Sequence, residues 1–182
     1  TPFKPSFTSN FPASRLDTPL DWGDLVLEDN SLDEINMIDT WLQNQNHFHE
    51  NPVLSKKINK GYKALFYGPP GTGKTLSASL IGKKNNLDVY RIDISQVVSK
   101  YIGETEKNLG NIFDIAENKN WILFFDEAES LFSKRTTVSD SKDKFANQET
   151  AYLLQRVENY NGLILLATNL KPNIDLAFSR RI

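Results

Sequence analysis

The stretch GPPGTGKT, Gly68 to Thr75, decides how the rest of the chain is read. It fits G-x-x-x-x-G-K-[ST], the phosphate-binding P-loop. The apolar run just before it, ALFY at 64–67, reads as a buried strand, and Leu76 to Lys84 just after it reads as a helix. That strand–loop–helix setting is the context the motif needs. Gly71 and Gly73 can take backbone angles closed to other residues, so consecutive N–H groups can turn inward around a phosphate. The helix N-terminus adds its positive dipole end. Lys74 brings a full positive charge to the β- and γ-phosphates, and the Thr75 hydroxyl can ligate Mg²⁺. The cradle expected for a nucleotide therefore runs through Gly68, Pro69, Pro70, Gly71, Thr72, Gly73, Lys74, Thr75 and Leu76. The competing reading, a glycine turn that happens to carry a lysine, leaves the flanking strand and helix unexplained.

Outward from the loop, short apolar runs alternate with helical patterns. Asp88 to Ile92 reads as a second strand, Trp121 to Phe125 as a third and Leu163 to Ala167 as a fourth. Glu104 to Asn118 reads as a helix with Leu109, Ile112, Phe113 and Ala116 inward, and Asn147 to Asn159 as one with Ala151, Leu154 and Val157 inward. Between the two, Ser133 to Ala146 reads as a polar, mobile loop. Upstream, Ser31 with Glu34 forms a capping box for a helix that carries Leu32, Ile35, Ile38, Trp41 and Leu42 on one apolar face. His47 and His49 are expected just past its end as a solvated turn, not as metal ligands. Asp21 to Glu28 reads as a short strand or extended segment. Pro2, Pro5, Pro12 and Pro19 make 1–20 an extended linker or arm, with Phe3, Phe7 and Phe11 packing on some surface. The expected domain is thus 21–182. Strands alternating with helices predict a mainly parallel sheet covered on both faces, an α/β fold.

The chain has 182 residues, 39% hydrophobic and 24% charged, with a formal net charge of −2. That suits one soluble domain with a sizeable core. No basic balance points to nucleic acid. There are no cysteines, hence no disulfide or thiol chemistry. The longest apolar runs, ILFF at 122–125 and LILLA at 163–167, are far too short to span a bilayer. With no visible signal peptide, a cytoplasmic location is expected. Both ends read as cuts inside a longer protein.

Three further groups carry chemistry. Asp126 and Glu127 follow a four-residue apolar strand. At the C-terminal end of a strand beside a P-loop strand, Asp126 would hold Mg²⁺ and Glu127 would polarise the attacking water as general base. An acidic helix N-terminus is the bland alternative. Asn169, at the tip of LILLATN, can hydrogen-bond both a γ-phosphate and the water, or it is a simple turn residue. Arg180 and Arg181 are a solvated pair, or they reach a neighbouring subunit's γ-phosphate as arginine fingers.

GPPGTGKT, KYIGET, ILFFDEAE, LLATN and the AFSRRI ending, in this order, resemble an AAA ATPase of the AAA+ class, specifically the large nucleotide-binding subdomain of a bacterial-type AAA protein. The resemblance spans about 21–182. It implies a P-loop NTPase fold, a three-layer α/β/α sandwich with strand order 5-1-4-3-2, from which the fifth strand and the helical lid are missing here. It implies ATP and Mg²⁺ as ligands and assigns Lys74 and Thr75 to Walker A, Asp126 and Glu127 to Walker B, Asn169 to sensor 1, and Arg180 and Arg181 to the fingers. More loosely it puts Asp24 to Val26, and so Asp24 and Val26, against the adenine. It also implies self-association, a hexameric ring, and a protein substrate gripped by Lys100 and Tyr101 in a pore loop. A Tyr packed under a loop is the alternative for Tyr101. The expected function is Mg²⁺-dependent ATP hydrolysis driving remodelling of a protein. The rival readings are a nucleotide-dependent switch or assembly scaffold and, further off, a nucleic-acid motor.

Overall fold

The computed structural model describes residues 13–50, 61–94, 105–129 and 141–169. In chain order the elements are β1 (Ala13–Leu16), α1 (Asp29–Glu50), β2 (Tyr62–Tyr67), α2 (Lys74–Asn85), β3 (Val89–Asp93), α3 (Thr105–Lys119), β4 (Ile122–Asp126), α4 (Ser141–Asn159) and β5 (Leu163–Thr168). One sheet holds all five strands in the order β1-β3-β4-β5-β2. The last four are parallel, and β1 pairs antiparallel with β3. The parallel strands follow the 1-4-3-2 part of the order that the sequence resemblance implies.

Burial explains which runs became strands. β5 is buried at every position and β4 at all but its last, as central parallel strands covered on both faces must be. β2 is only half-buried along its length, because among the described residues no strand lies beyond it. Alternation then sorts the side chains into two layers. Tyr90, Ile92, Leu123, Phe125, Ile164 and Leu166 meet α3 and α4 through Leu109, Ile112, Phe113, Leu153 and Val157. Val89, Ile122, Phe124, Leu163, Leu165 and Ala167 meet α1 and α2 through Ile35, Ile38, Trp41, Leu42, Ala78 and Ile81. The result is the three-layer α/β/α sandwich expected.

Several local readings change. The sheet begins before Asp21, since Ala13–Leu16 of the expected arm docks on the free edge of β3, with Arg15 bonded to Asp88 at 2.7 Å. The segment expected as strand or extended chain instead makes a 3₁₀ turn over Trp22–Asp24, because the Asp24 carboxylate accepts the Asp21 N–H at 2.8 Å. α1 starts at Asp29, so Ser31 lies inside it, and it runs through His47 and His49 to Glu50. α4 starts at Ser141, inside the expected loop. On it Ala151 is exposed and Leu153 is buried. Among the described residues, no helix is long and apolar enough to cross a membrane.

Candidate functional site

Parallel strands end together, so the C-terminal ends of β2, β4 and β5 present their following residues on one rim of the sheet. The P-loop leaves β2 there. Gly71 takes φ +79° and Gly73 φ +90°, both in the left-handed region that the sequence reading required of them. Gly73 is the N-cap of α2, and its carbonyl accepts the Ser77 N–H at 2.7 Å. Thr72 Oγ1 donates to Pro69 O at 2.9 Å and pins the turn.

The Lys74 ammonium uses three acceptors: Gly68 O at 2.7 Å, Pro69 O at 2.9 Å and Asn169 Oδ1 at 2.8 Å. An ammonium has three donors, so the whole set is engaged within the chain. The third bond joins the loop to the tip of β5, across 95 positions of sequence. Gly68 N–H donates to Thr168 O at 3.3 Å and extends the β2–β5 ladder to the mouth of the loop.

Asp126 closes β4 on the face shared with Ile122 and Phe124, the face covered by α2. The first turn of α2 carries Lys74 and Thr75, so alternation alone puts this carboxylate on the P-loop side. Its Oδ1 accepts the Glu127 N–H at 3.0 Å and its Oδ2 pairs with Arg91 Nη2 at 2.7 Å. Glu127 is exposed and takes φ +55°, an uncommon angle for a side-chain-bearing residue and one typical of functional turns. Two bonds hold that turn: Ala128 N–H to Ala167 O at 2.8 Å, and Thr168 Oγ1 to Glu129 Oε2 at 2.9 Å.

The segment before α1 also reaches the loop. A Cβ built on Gly73 would lie 2.5 Å from Leu25 Cδ1, so Leu25 rests directly on the glycine. Its neighbour Val26 is 93% exposed, while the Asp24 carboxylate is engaged by the Asp21 N–H. Lys83 of α2 anchors the segment by bonds to Leu20 O and Asp21 Oδ1.

Of the residues singled out from sequence, Gly68 to Leu76, Asp126, Glu127 and Asn169 come together on this rim, and Asp24 to Val26 approach it through Leu25. Lys100, Tyr101, Arg180 and Arg181 lie outside the described residues. Sequence reasoning did not find Arg91, Leu25 or the Thr168–Glu129 bond. The alternation of β3 could have flagged Arg91, which shares a strand face with the buried Val89.

Comparison with known proteins bears on the same rim. Residues 64–182 match the model of the family described as the ATPase family associated with various cellular activities (AAA). The proteasome-activating nucleotidase of Methanococcus vannielii is 34% identical over 140 residues, 72% of this chain and 34% of that protein. Vacuolar protein sorting-associated protein 4B of Mus musculus is 40% identical over 124 residues, 64% of this chain and 27% of that protein. The crystal structure of the FIGL-1 AAA domain in complex with ADP superposes with a TM-score of 0.70, covering 93% of this chain and 55% of that one at 24% identity, a likeness of fold. The chain spans about a third or less of the two curated relatives.

Proposed function

The chain belongs to the AAA family of ATPases, and on that premise we propose that it binds ATP with Mg²⁺, hydrolyses it, and works within a ring, a hexamer by family resemblance, to remodel a protein substrate. The observation that carries this reading is the junction at the Lys74 ammonium, 2.7 Å from Gly68 O and 2.8 Å from Asn169 Oδ1. It joins the phosphate loop to the amide expected to meet a γ-phosphate.

In this mechanism Lys74 exchanges acceptors within the chain for β- and γ-phosphate oxygens. Asn169, released from Lys74, orients the γ-phosphate and the attacking water. The water oxygen attacks the γ-phosphorus in line while Glu127 takes its proton. The bond from the γ-phosphorus to the bridging oxygen breaks, and ADP leaves with that electron pair. No covalent enzyme intermediate forms. Thr75 and Asp126 would hold Mg²⁺, which when bound neutralises charge on the phosphate oxygens. Their fit is chemical: a hydroxyl and a carboxylate are hard oxygen donors, and a small donor set suits an ion that keeps several waters and takes other ligands from phosphate. Val26, apolar and almost wholly exposed, offers a surface that an adenine would cover beside Asp24. Arg180 and Arg181 serve the neighbouring subunit's site, and Lys100 and Tyr101 grip polypeptide. The name of the proteasome-activating relative joins nucleotide use to a protein partner, which supports the substrate class.

Steady-state ATPase rate against protein concentration tests the proposal. The specific rate is expected to rise with concentration, and Arg181→Ala to lower it by about 10³-fold or more. Glu127→Gln is expected to bind ATP undiminished with turnover at background. A low, flat rate indifferent to Arg181 would leave a nucleotide-dependent switch or scaffold and end the remodelling reading.

A further inference from the structure

The guanidinium beside Asp126 has no part in the mechanism above. Arg91 lies on β3, paired in register with Phe124, two positions before Asp126 on the same face of β4. Its Nη2 is 2.7 Å from Asp126 Oδ2, with the two side chains 41% and 20% exposed. Its Nε is buried and has no acceptor among the described residues. The other carboxylate oxygen accepts the Glu127 N–H at 3.0 Å. Both oxygens of the carboxylate assigned to Mg²⁺ are therefore met by donors, one of them a full positive charge.

We infer that Arg91 is a positioning residue that sets the Mg²⁺ affinity of the nucleotide site by neutralising Asp126. The inference rests on the proposed function. A divalent cation approaching Asp126 meets a carboxylate whose charge is largely cancelled, so by itself it gains little. The same ion carried by ATP arrives with phosphate charge that offsets the guanidinium. Arg91 thus favours entry of Mg²⁺ together with nucleotide over binding of the bare ion. The guanidinium lies 2.7 Å from the carboxylate, so the neutralisation is graded by that distance. A unit charge a few ångströms from a divalent ion in a partly exposed site changes its affinity by about tenfold.

The test is binding of a fluorescent ADP analogue to the full chain, titrated with Mg²⁺ from an EDTA baseline and read by fluorescence. Arg91→Gln is expected to lower the Mg²⁺ concentration for half-maximal enhancement of binding by about tenfold. Arg91→Lys, which keeps the charge, is expected to stay within about twofold of wild type. Arg91→Met gives the same reading as Gln should that variant fold poorly. An unchanged or raised Mg²⁺ requirement in the neutral variants overturns the inference. So does a loss of nucleotide affinity that is equal in EDTA and in Mg²⁺, which would mark Arg91 as a support of the fold alone. Wild type that binds the analogue in neither buffer overturns the proposed function, and the inference with it.

Discussion

Gly73 shows how much one backbone angle carries. At φ +90° it starts α2, and Leu25 occupies the space a Cβ would need. Gly73→Ala should cost about 1–2 kcal/mol from the left-handed angle alone, with further loss from displacing Leu25. Leu25→Ala in the same chain should return the second part and not the first. Thermal melts of the single and double variants separate the two, and nucleotide affinity should fall in both, because the loop N–H groups depend on the angle. A double variant no more stable than Gly73→Ala would mean that Leu25 does not press on the loop. The angle was legible in GPPGTGKT, since the spacing of its glycines is a statement about local geometry. Leu25 was not, because it is brought to Gly73 by the path of the chain around α1, which no local pattern records. The same holds for Arg91: its partner, Asp126, is set by strand order and register, which the sequence implies only once the whole sheet is known.

At the scale of elements, periodicity found the helices, placed the start of α3 within one residue, and missed where α1 and α4 begin. The face Leu109–Ile112–Phe113–Ala116 is buried as read, and of Leu32, Ile35, Ile38, Trp41 and Leu42 all but the exposed Leu32 are buried. The early turns of α4 are polar and carry no apolar period, so Ser141 to Ala146 looked like loop. The end of α4 offers a sharper test. Tyr160, just beyond it, is buried, and its hydroxyl donates to Trp121 O at 2.6 Å, tying α4 to the entry of β4. Burial, with Glu117 nearby, pushes its pKa well above the ordinary value of 10.0. The folded state then holds this proton at a pH where the unfolded state has released it, so this contribution is full below about pH 10 and is lost as pH rises beyond it. Lys63, whose ammonium donates to Glu158 O and Tyr160 O, acts with the opposite sign. Burial lowers its pKa, so the unfolded state keeps its proton longer and stability from this group rises with pH up to about the ordinary lysine value. Tyr160→Phe should therefore cost about 1–2 kcal/mol at neutral pH through the lost hydrogen bond and flatten the alkaline fall, leaving Lys63's rise exposed. Denaturant melts of both chains across the alkaline range check this. An identical alkaline slope in the variant would show that Tyr160 is not the titrating group.

For the whole molecule, the sequence predicted the parallel core and its covering layers, because buried parallel strands declare themselves as short continuous apolar runs. It did not predict that the sheet extends through β1. ASRL is short and half polar, with a burial pattern of two half-buried ends around two exposed residues, and the prolines around it favour the reading of a linker. What makes it a strand is the partner: β3 has an edge whose N–H and C=O groups need covering, and Ala13 to Leu16 pair with Ile92 to Val89. The Arg15–Asp88 ion pair adds little, since both partners are partly exposed at 47% and 30%. The backbone ladder and the cover it gives to Val89 and Tyr90 matter more. Deleting residues 1–16 should therefore lower the unfolding midpoint and leave β3 as an open edge, giving concentration-dependent association through strand pairing. Arg15→Ala should change stability by less than about 1 kcal/mol. Nucleotide affinity of the folded fraction of the deleted chain should stay within about twofold of wild type, because the P-loop rim is built from β2, β4 and β5 and touches neither β1 nor its partner's outer edge. Light scattering across a dilution series, alongside fluorescent nucleotide binding, separates these outcomes. A deleted chain that melts with the wild type and stays monomeric would mean that β1 is a loosely held arm after all. One that loses nucleotide binding while remaining folded would mean that the β3 edge communicates with the rim, and Arg91 on that strand, bonded to Asp126, is the residue through which it would do so.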